Sequence, residues 1–294
     1  MTVEEFAGFW NRQGCRTAKG AGTFWYAVHP LVFLSLPYDQ IIEPTRLDLF
    51  KFFSRTTALV LRYPAKAPGV DGNGTGGVFV CESKGYDLTA LHPKARNQTR
   101  KALHECTVQR IEFTTLAEIG HHLNEETWQR QGRGAAGLSR RQWQRYCQAA
   151  ANAPDMEAWG AFVEGRLAAF VVCALVERCY NILHQSSSRD LLSHNPNNAL
   201  AFTVTKRALE QARVDLVCYG LKSVENTEGL EHFKLRMGFS IRPFDEKVIL
   251  HPLLQACLAL GGRLGVEWAA ARKPDSDFWR KAQAVCRVHQ PAKL

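Results

Sequence analysis

Apolar and polar residues follow two different periods in the second half of the chain. The segments TLAEIGHHLNEETWQRQ and SRRQWQRYCQAAANA repeat apolar residues at helical spacing. Three later segments, EAWGAFVE, LAAFVVCALVE and CYNILHQSSS, have the alternating or continuous apolar runs of strands. The pattern predicts two amphipathic helices, then a hairpin, then a third strand.

A further helix is predicted to begin at Asn195. Asn195 is a favourable N-cap and Pro196 a favourable first helical residue. Leu200, Val204 and Ala208 supply an apolar stripe at four-residue spacing. The elements predicted after this helix are a strand, a helix and two strands, in the segments VDLVCYGL, TEGLEHFKLRMG, FSIRP and EKVILHP.

The first 110 residues show a less regular pattern. Strands are predicted in FWYAVHPLVFLSLP and TALVLRYP, with the helix TRLDLFKFFSR between them. PAKAPGVDGNGTGG is rich in glycine, but it lacks a GK[ST] ending and precedes the strand GVFVCES. A phosphate-binding loop requires a helix at that place, so we expect a hairpin or a disordered loop.

A helix, HPKARNQTRKALHE, and a strand, VQRIEF, complete this part of the chain. We therefore expect an N-terminal half-domain at residues 1–110 and a second domain at residues 111–250. The remaining residues, 251–294, are expected to form a helical extension.

Composition and charge narrow the class of protein. The chain has 294 residues, of which 46% are hydrophobic, and a formal net charge of +9 that favours an anionic partner. Its nine cysteines form no CxxC pair, which suits a reducing compartment. The acidic N-terminal segment MTVEEFAGFWNRQG is unlike an export signal, and the apolar runs are too short or interrupted to span a bilayer. We expect a cytoplasmic protein without membrane insertion.

The order of elements, together with YDLTALHPKARNQTRKA, NPNNALAF and GLEHFKLRMGF, resembles the GNAT acyltransferase superfamily and its FemAB-like branch. The resemblance covers roughly residues 80–250. It implies a mixed α/β (α+β) fold with a splayed central sheet flanked by helices, and a GNAT-like N-terminal half. In this superfamily the sheet grips a thioester donor between its fourth and fifth strands.

The resemblance assigns a donor-binding role to the junction between strand and helix at residues 188–198. A helix N-terminus presents unpaired N–H groups to a pyrophosphate. The usual glycine-rich run is replaced here by SSSRDLLSHNPNNA, and Pro196 removes one donor. The residues expected to bind acetyl-CoA or another acyl-CoA are Ser187, Ser188, Arg189, Asn195, Asn197 and Asn198.

The resemblance also indicates catalytic candidates. GNAT enzymes commonly place a tyrosine four residues before the glycine that ends the last helix, and Lys234 occupies that position here. Lys234 is a candidate general acid, or a cation beside a phosphate or oxyanion, and the alternative is a lysine whose stem only covers the core. His184 is the candidate base for the acceptor amine, although a histidine on a strand is more often a core residue. Glu225 is the rival base.

Three arginines are candidates for binding an acceptor, and a pair of histidines is a candidate for binding a metal. Arg96 and Arg100 share a helix face, and Arg133 lies in the glycine-containing loop at residues 130–138, so all three are candidates for binding an acceptor. Single arginines of this kind more often serve the scaffold. His121 and His122 precede two glutamates without forming HExxH, so no metal is expected.

The sequence thus predicts an N-acyltransferase that moves an acyl group, most simply acetyl, from acyl-CoA to a primary amine of a small molecule or a peptide. The alternative within enzymes is a FemAB-type aminoacyltransferase that uses aminoacyl-tRNA, which the basic charge permits. An alternative of another class is a degenerate GNAT fold that only binds a nucleotide or nucleic acid. The missing glycine-rich loop and the missing tyrosine favour that alternative.

Overall fold

The computed structural model describes residues 1–66, 76–131, 137–222 and 228–272 of the chain. The α-helices among these residues are α1 Val3–Arg12, α2 Arg46–Arg55, α3 Pro93–Glu105, α4 Phe113–Ile119, α5 His121–Arg130, α6 Arg140–Ala151, α7 Pro196–Leu209, α8 Glu228–Arg236, α9 Pro252–Cys257 and α10 Arg263–Arg272. Short 3₁₀ turns occur at Leu88–Ala90 and Leu192–His194, and a π-helical turn at Leu258–Gly262 joins α9 to α10.

The strands are β1 Thr17–Gly20, β2 Thr23–His29, β3 Val32–Leu36, β4 Val60–Ala65, β5 Gly76–Cys81, β6 Thr107–Ile111, β7 Met156–Val163, β8 Arg166–Val176, β9 Cys179–Ser187, β10 Leu216–Leu221 and β11 Ser240–Leu250. The predicted strands FSIRP and EKVILHP are both part of β11. Pro243 does not end the strand, because it pairs opposite Gly77 and the strand continues beyond it.

The chain divides into two units. Unit 1 comprises Met1–Cys15 and Ala67–Phe244, and unit 2 comprises Arg16–Lys66 and Asp245–Leu294. The division predicted at residues 110 and 250 does not coincide with these units. Side chains of β5 and α3 belong to the same core as those of β7 to β10, so residue 110 lies inside unit 1.

The sheet of unit 1 has the strand order β11-β5-β10-β9-β8-β7-β6, to which β11 contributes Ser240–Phe244. Only β9 and β10 pair in parallel, and the other neighbours are antiparallel. Helices α3 and α7 contact each other, and the stripe of Leu200, Val204 and Ala208 is buried as predicted. This mixed sheet with flanking helices confirms the predicted fold class.

The parallel strands β9 and β10 separate after a short stretch of backbone pairing. Backbone pairing joins Cys179–Asn181 of β9 to Leu216–Cys218 of β10 and does not extend further. Beyond these residues β9 continues to Ser187, where it pairs only with β8, and β10 continues to Leu221. The sheet therefore opens at the position where the resemblance places the splay, and we call this opening the wedge.

Helices α4 and α5 correspond to one predicted helix. The break falls at Gly120, where an added Cβ would lie 2.7 Å from the carbonyl oxygen of Leu116 and 3.2 Å from the Trp143 ring. Such distances are too short for any residue other than glycine. The two shortest of these contacts are with Leu116 of α4 itself, and Trp143 of α6 packs against the same junction.

Unit 2 is built on the order β1-β2-β3-β4-β11, to which β11 contributes Asp245–Leu250. Helix α2 begins at Thr45, whose hydroxyl accepts from the backbone N–H of Asp48 in a capping box. The inner face of α2 buries Phe52 and Phe53 in a core that also contains Trp25. Among the described helices, none is both long enough and apolar enough for a bilayer crossing.

Candidate functional site

Side chains bridge the wedge where backbone pairing has stopped. The Tyr219 hydroxyl on β10 donates a hydrogen bond to Oε1 of Gln185 on β9. The amide nitrogen of Gln185 donates to Oδ1 of Asn197, in the first turn of α7, over 2.8 Å. These contacts place the start of α7 beside the unpaired part of β9.

Ser187 extends this network toward α5. Its hydroxyl accepts hydrogen bonds from Asn197 Nδ2 and from the Arg130 guanidinium, both over 3.1 Å. The backbone of Ser187 is held by Thr127, whose hydroxyl accepts from the Ser187 N–H and donates to the Ser187 carbonyl. Ser188 is buried, and its N–H donates to Ala168 of the neighbouring strand. Ser187 is therefore a junction between α5, β9 and α7, whereas Ser188 serves the sheet.

Two cations lie together at the end of β9. Burial lowers the pKa of Arg130, and the charge of Arg189 lowers it further, while the carboxylate of Glu126 raises it. Glu126 also accepts a hydrogen bond from the Arg189 backbone N–H over 2.6 Å. Two guanidinium groups that repel each other beside a helix start can hold an anion such as a phosphate.

The other asparagines of the predicted donor site have structural contacts. Asn195 has positive φ (53°) and ends the preceding 3₁₀ turn, so its side chain does not cap α7, contrary to the prediction. Asn198 is buried, and its amide donates to Met237 Sδ over 3.5 Å. Of the predicted asparagines, Asn197 is the one whose side chain joins the network of the wedge.

Lys234 directs its ammonium at two aromatic rings. Nζ lies 4.5 Å from the ring centroid of Phe79 and 5.2 Å from that of Tyr219, so a cation–π contact holds it against β5 and β10. Helix α8 ends at Arg236, and Gly238 follows it with a φ of +83° that favours glycine. Burial lowers the pKa of Lys234 to about 8. The group is thus mostly protonated at neutral pH and releases its proton more readily than an ordinary lysine.

His184 lies against helices α5 and α6. Its Nε2–H donates to Oδ1 of Asn124 over 2.7 Å, and its ring is 5.3 Å from Trp143 and 5.7 Å from Phe170, measured between centroids. Burial lowers the pKa of His184 to about 4, so the imidazole is neutral near pH 7. Its neighbour in the strand, Gln185, contacts α7 and β10 instead. The described contacts of His184 and Lys234 therefore involve different elements.

The predicted acceptor residues are placed separately. The Arg96 guanidinium donates to the carbonyl oxygens of Leu88, Thr89 and Leu91, so it holds the turn before α3. Arg100 is exposed on the same helix. Arg133 and Glu225, together with most of the loop at residues 130–138, lie outside the described residues.

Four residues of the site were missed in the sequence: Asn124, Arg130, Gln185 and Tyr219. Gln185 lies between His184 and Ser186 on one strand, so strand alternation alone would have assigned it to the face opposite His184. No local pattern marks Asn124 or Arg130, because their partners lie about sixty positions away. The predicted pairing on the helix surface is seen at His121, which lies 3.7 Å from Glu125. Within the described residues, histidine, cysteine and carboxylate side chains form no cluster suited to a metal ion.

Comparisons with known proteins agree with this geometry. The model of the acetyltransferase (GNAT) domain family matches residues 93–235. No curated protein sequence matches the chain significantly.

Three solved structures share the fold over most of the length of this chain. FemX has a TM-score of 0.61 at 12% identity, over 86% of this chain and 92% of its own. The C-terminal domain of a putative lysylphosphatidylglycerol synthetase from Agrobacterium fabrum has a TM-score of 0.57 at 12% identity, over 87% and 90%. L-PGS from Bacillus licheniformis has a TM-score of 0.55 at 13% identity, over 85% and 87%. Residues 93–235 of this chain thus match the acetyltransferase (GNAT) domain, and the chain shares its fold with these three structures.

Proposed function

We propose that this protein is an N-acyltransferase that moves an acyl group, most simply acetyl, from acyl-CoA to a primary amine of a small molecule or a peptide. The observation that carries the proposal is the wedge between β9 and β10, which opens beside the start of α7. This is the arrangement in which GNAT proteins hold a thioester donor.

The residues at the start of α7 suit the phosphates of such a donor. Arg130 and Arg189 supply two cations within mutual electrostatic range. Ser187 and Asn197 lie beside them and fix the end of β9 to α7. When bound, acyl-CoA supplies the activated acyl group, and these side chains bind and orient its anionic part.

Lys234 is the proposed proton donor. Its ammonium is confined by the rings of Phe79 and Tyr219, and its lowered pKa of about 8 lies near the operating range of a general acid. When the acceptor nitrogen bonds to the acyl carbon and the carbon–sulfur bond breaks, the sulfur takes the pair of electrons. A proton from Lys234 then neutralises the thiolate.

The acceptor amine must lose a proton in the same reaction. His184 is neutral near pH 7 and can accept one, although a pKa of about 4 makes it a weak base. Its Nε2 already donates to Asn124, so Nδ1 is the nitrogen with the lone pair. Glu225 remains the rival base, and Arg100 and Arg133 remain proposed contacts to an anionic acceptor. Arg96 is not one of these contacts, since its guanidinium donates to three backbone carbonyl oxygens.

The second candidate is transfer of an amino acid from aminoacyl-tRNA. It is supported by the shared fold with FemX, which extends over 86% of this chain, and by the net charge of +9. The bridge between Tyr219 and Gln185 also favours it, because a thin pantetheine arm would have to displace that hydrogen bond.

A cytoplasmic location is part of the proposal. The cysteines in the described part of the chain are free thiols, several of them buried, and Cys286 lies outside that part. Reduced thiols suit the cytosol.

Isothermal titration of the purified protein with acetyl-CoA, free CoA and uncharged tRNA distinguishes these functions. Micromolar binding of acetyl-CoA, with release of free thiol when amines are added, is the expected result. Binding of tRNA without CoA binding would favour the aminoacyltransferase, to be checked with charged tRNA. Binding of either ligand without turnover of any amine would favour a binding module and contradict both enzymes.

A further inference from the structure

Unit 2 carries most of the net positive charge of the chain. It contains 15 of the 37 Lys and Arg residues and 8 of the 28 Asp and Glu residues, so it accounts for +7 of the formal charge of +9. Unit 1 is much longer, and its formal charge is only +2. The basic character is therefore concentrated in unit 2, whereas the wedge between β9 and β10 belongs to unit 1.

Unit 2 also exposes most of the large apolar side chains. Eight of the eleven that are exposed among the described residues belong to it: Val28, Leu31, Ile41, Leu47, Phe50, Leu253, Leu260 and Trp268. Isolated exposed apolar residues are ordinary, and only side chains that lie side by side mark an interaction surface.

Helix α2 combines both features on one face. Its inner face buries Leu49, Phe52 and Phe53. At 100° per residue, Leu47 and Phe50 both lie on the outer side of the helix with Ser54 between them, and they are 59% and 61% exposed.

Three cations border these two apolar residues. Arg46 lies at one edge of the exposed face, and Lys51 and Arg55 lie at the other. Within the described residues, none of the three forms an ion pair. The carboxylate of Asp48 accepts hydrogen bonds in the capping box with Thr45, and it also attracts Lys51 electrostatically. The exposed face of α2 is thus apolar at its centre and cationic at both edges.

We propose that the outer face of α2 docks on the surface of an anionic lipid bilayer. The cations match the lipid headgroups, while Leu47 and Phe50 are placed to enter the boundary between headgroups and acyl chains. Nucleic acid would also attract the cations, but it offers no apolar layer for an exposed leucine. The proposal does not depend on the acyl donor or on the acceptor of the proposed reaction.

Co-sedimentation of the full chain with vesicles tests this surface. Vesicles containing phosphatidylglycerol are compared with vesicles of phosphatidylcholine alone, at low and high salt. We expect binding to the anionic vesicles that weakens with salt and little binding to the neutral ones.

Two variants separate the two parts of the surface. Leu47→Ser with Phe50→Ser should weaken partitioning at least tenfold at every salt concentration, because the apolar contact is lost. Arg46→Gln, Lys51→Gln and Arg55→Gln together should weaken it on the order of a hundredfold at low salt, about fivefold for each charge. All five side chains are exposed, so the thermal unfolding midpoint should be unchanged.

Matched controls use unit 1. Leu103→Ser with Leu230→Ser removes two exposed leucines, and Arg140→Gln, Arg141→Gln and Arg145→Gln together remove three exposed charges. Both should partition like the unchanged protein.

Three results would overturn the proposal. The first is failure of the unchanged protein to bind anionic vesicles. The second is equal loss of binding in the controls and the α2 variants. The third is a loss of tRNA affinity in the α2 variants, measured by gel shift, while their binding to vesicles stays the same. That result would assign the surface to nucleic acid.

Discussion

The Tyr219 hydroxyl on β10 is hydrogen-bonded to the Gln185 side chain on β9, past the last backbone pair of the two strands. A donor that enters the wedge must exchange this bond for its own contacts. We therefore predict that Tyr219→Phe binds acetyl-CoA about fivefold more tightly than the unchanged protein, because one net hydrogen bond of about 1 kcal/mol no longer has to be broken. Isothermal titration measures the affinity.

A matched control for this change is Tyr63→Phe, which removes a tyrosine hydroxyl in unit 2. It should leave donor affinity unchanged. Weaker binding in Tyr219→Phe would instead show that the hydroxyl contacts the donor itself.

Replacing Lys234 with Met tests its role as proton donor. The change keeps most of the side chain's volume against Phe79 and Tyr219 and removes the proton. We expect the saturated rate to fall on the order of a hundredfold, with donor affinity nearly unchanged. In the unchanged protein the rate should fall as pH rises through about 8, since the acid form is then lost. Steady-state kinetics across pH 6.5–9.5 provide both readouts.

Lys94→Met, an exposed change on α3, is the control and should retain full activity. A normal rate and normal affinity in Lys234→Met would leave the residue with a packing role only. A loss confined to ligand binding would assign it to phosphate or substrate contact.

The buried imidazole of His184 should make stability depend on pH. Its folded-state pKa of about 4 is below the value of about 6.5 in the unfolded chain, so only the unfolded state takes up a proton between these values. Stability therefore falls as pH drops from 6.5 toward 4, by at most about 3 kcal/mol from this residue. Urea unfolding at pH 7, 6 and 5 should show that decline reduced in His184→Gln.

The control is His122→Gln, an exposed histidine on α5 whose replacement should leave the decline intact. If His184→Gln follows the same pH curve as the unchanged protein, the imidazole is protonated in the folded state and its surroundings are more polar than the aromatic contacts indicate.

Arg130 and Arg189 are predicted to hold the donor's phosphates. Arg189→Ala should weaken CoA binding by about 1–3 kcal/mol without affecting the fold, because it removes a charge-assisted contact from an exposed residue. Titration with CoA and with pantetheine, which lacks every phosphate of CoA, shows whether the loss depends on phosphate. Arg166→Ala, at the exposed start of β8, should bind normally.

Arg96 and Arg100 should behave differently although they share one helix. Arg96→Ala leaves the carbonyl oxygens of Leu88, Thr89 and Leu91 without their donor, so we expect about 1–3 kcal/mol of destabilisation and unchanged donor affinity. Arg100→Ala should not affect stability. A higher KM for the acceptor in this variant would support the proposed role of Arg100. Equal stability of the two variants by urea unfolding would contradict the structural assignment of Arg96.

The sequence by itself determined which segments are helices and strands, because the period of the apolar residues and the caps are local. The stripe on α7 and the capping of α2 follow from residues a few positions apart. The order of these elements, with Lys234 before Gly238, was enough to indicate the superfamily.

Only the tertiary structure decided which side chains meet. Tyr219 and Gln185 are 34 positions apart, and Arg130 and Ser187 are 57 apart, so no local period connects them. The Asn195 side chain does not cap α7, because the preceding turn places Asn195 at positive φ, and Trp143 of α6 packs against the junction of α4 and α5 at Gly120. The same distance between partners explains Lys234: its sequence position marks it as unusual, but the two rings that hold its charge come from β5 and β10, far away in the chain.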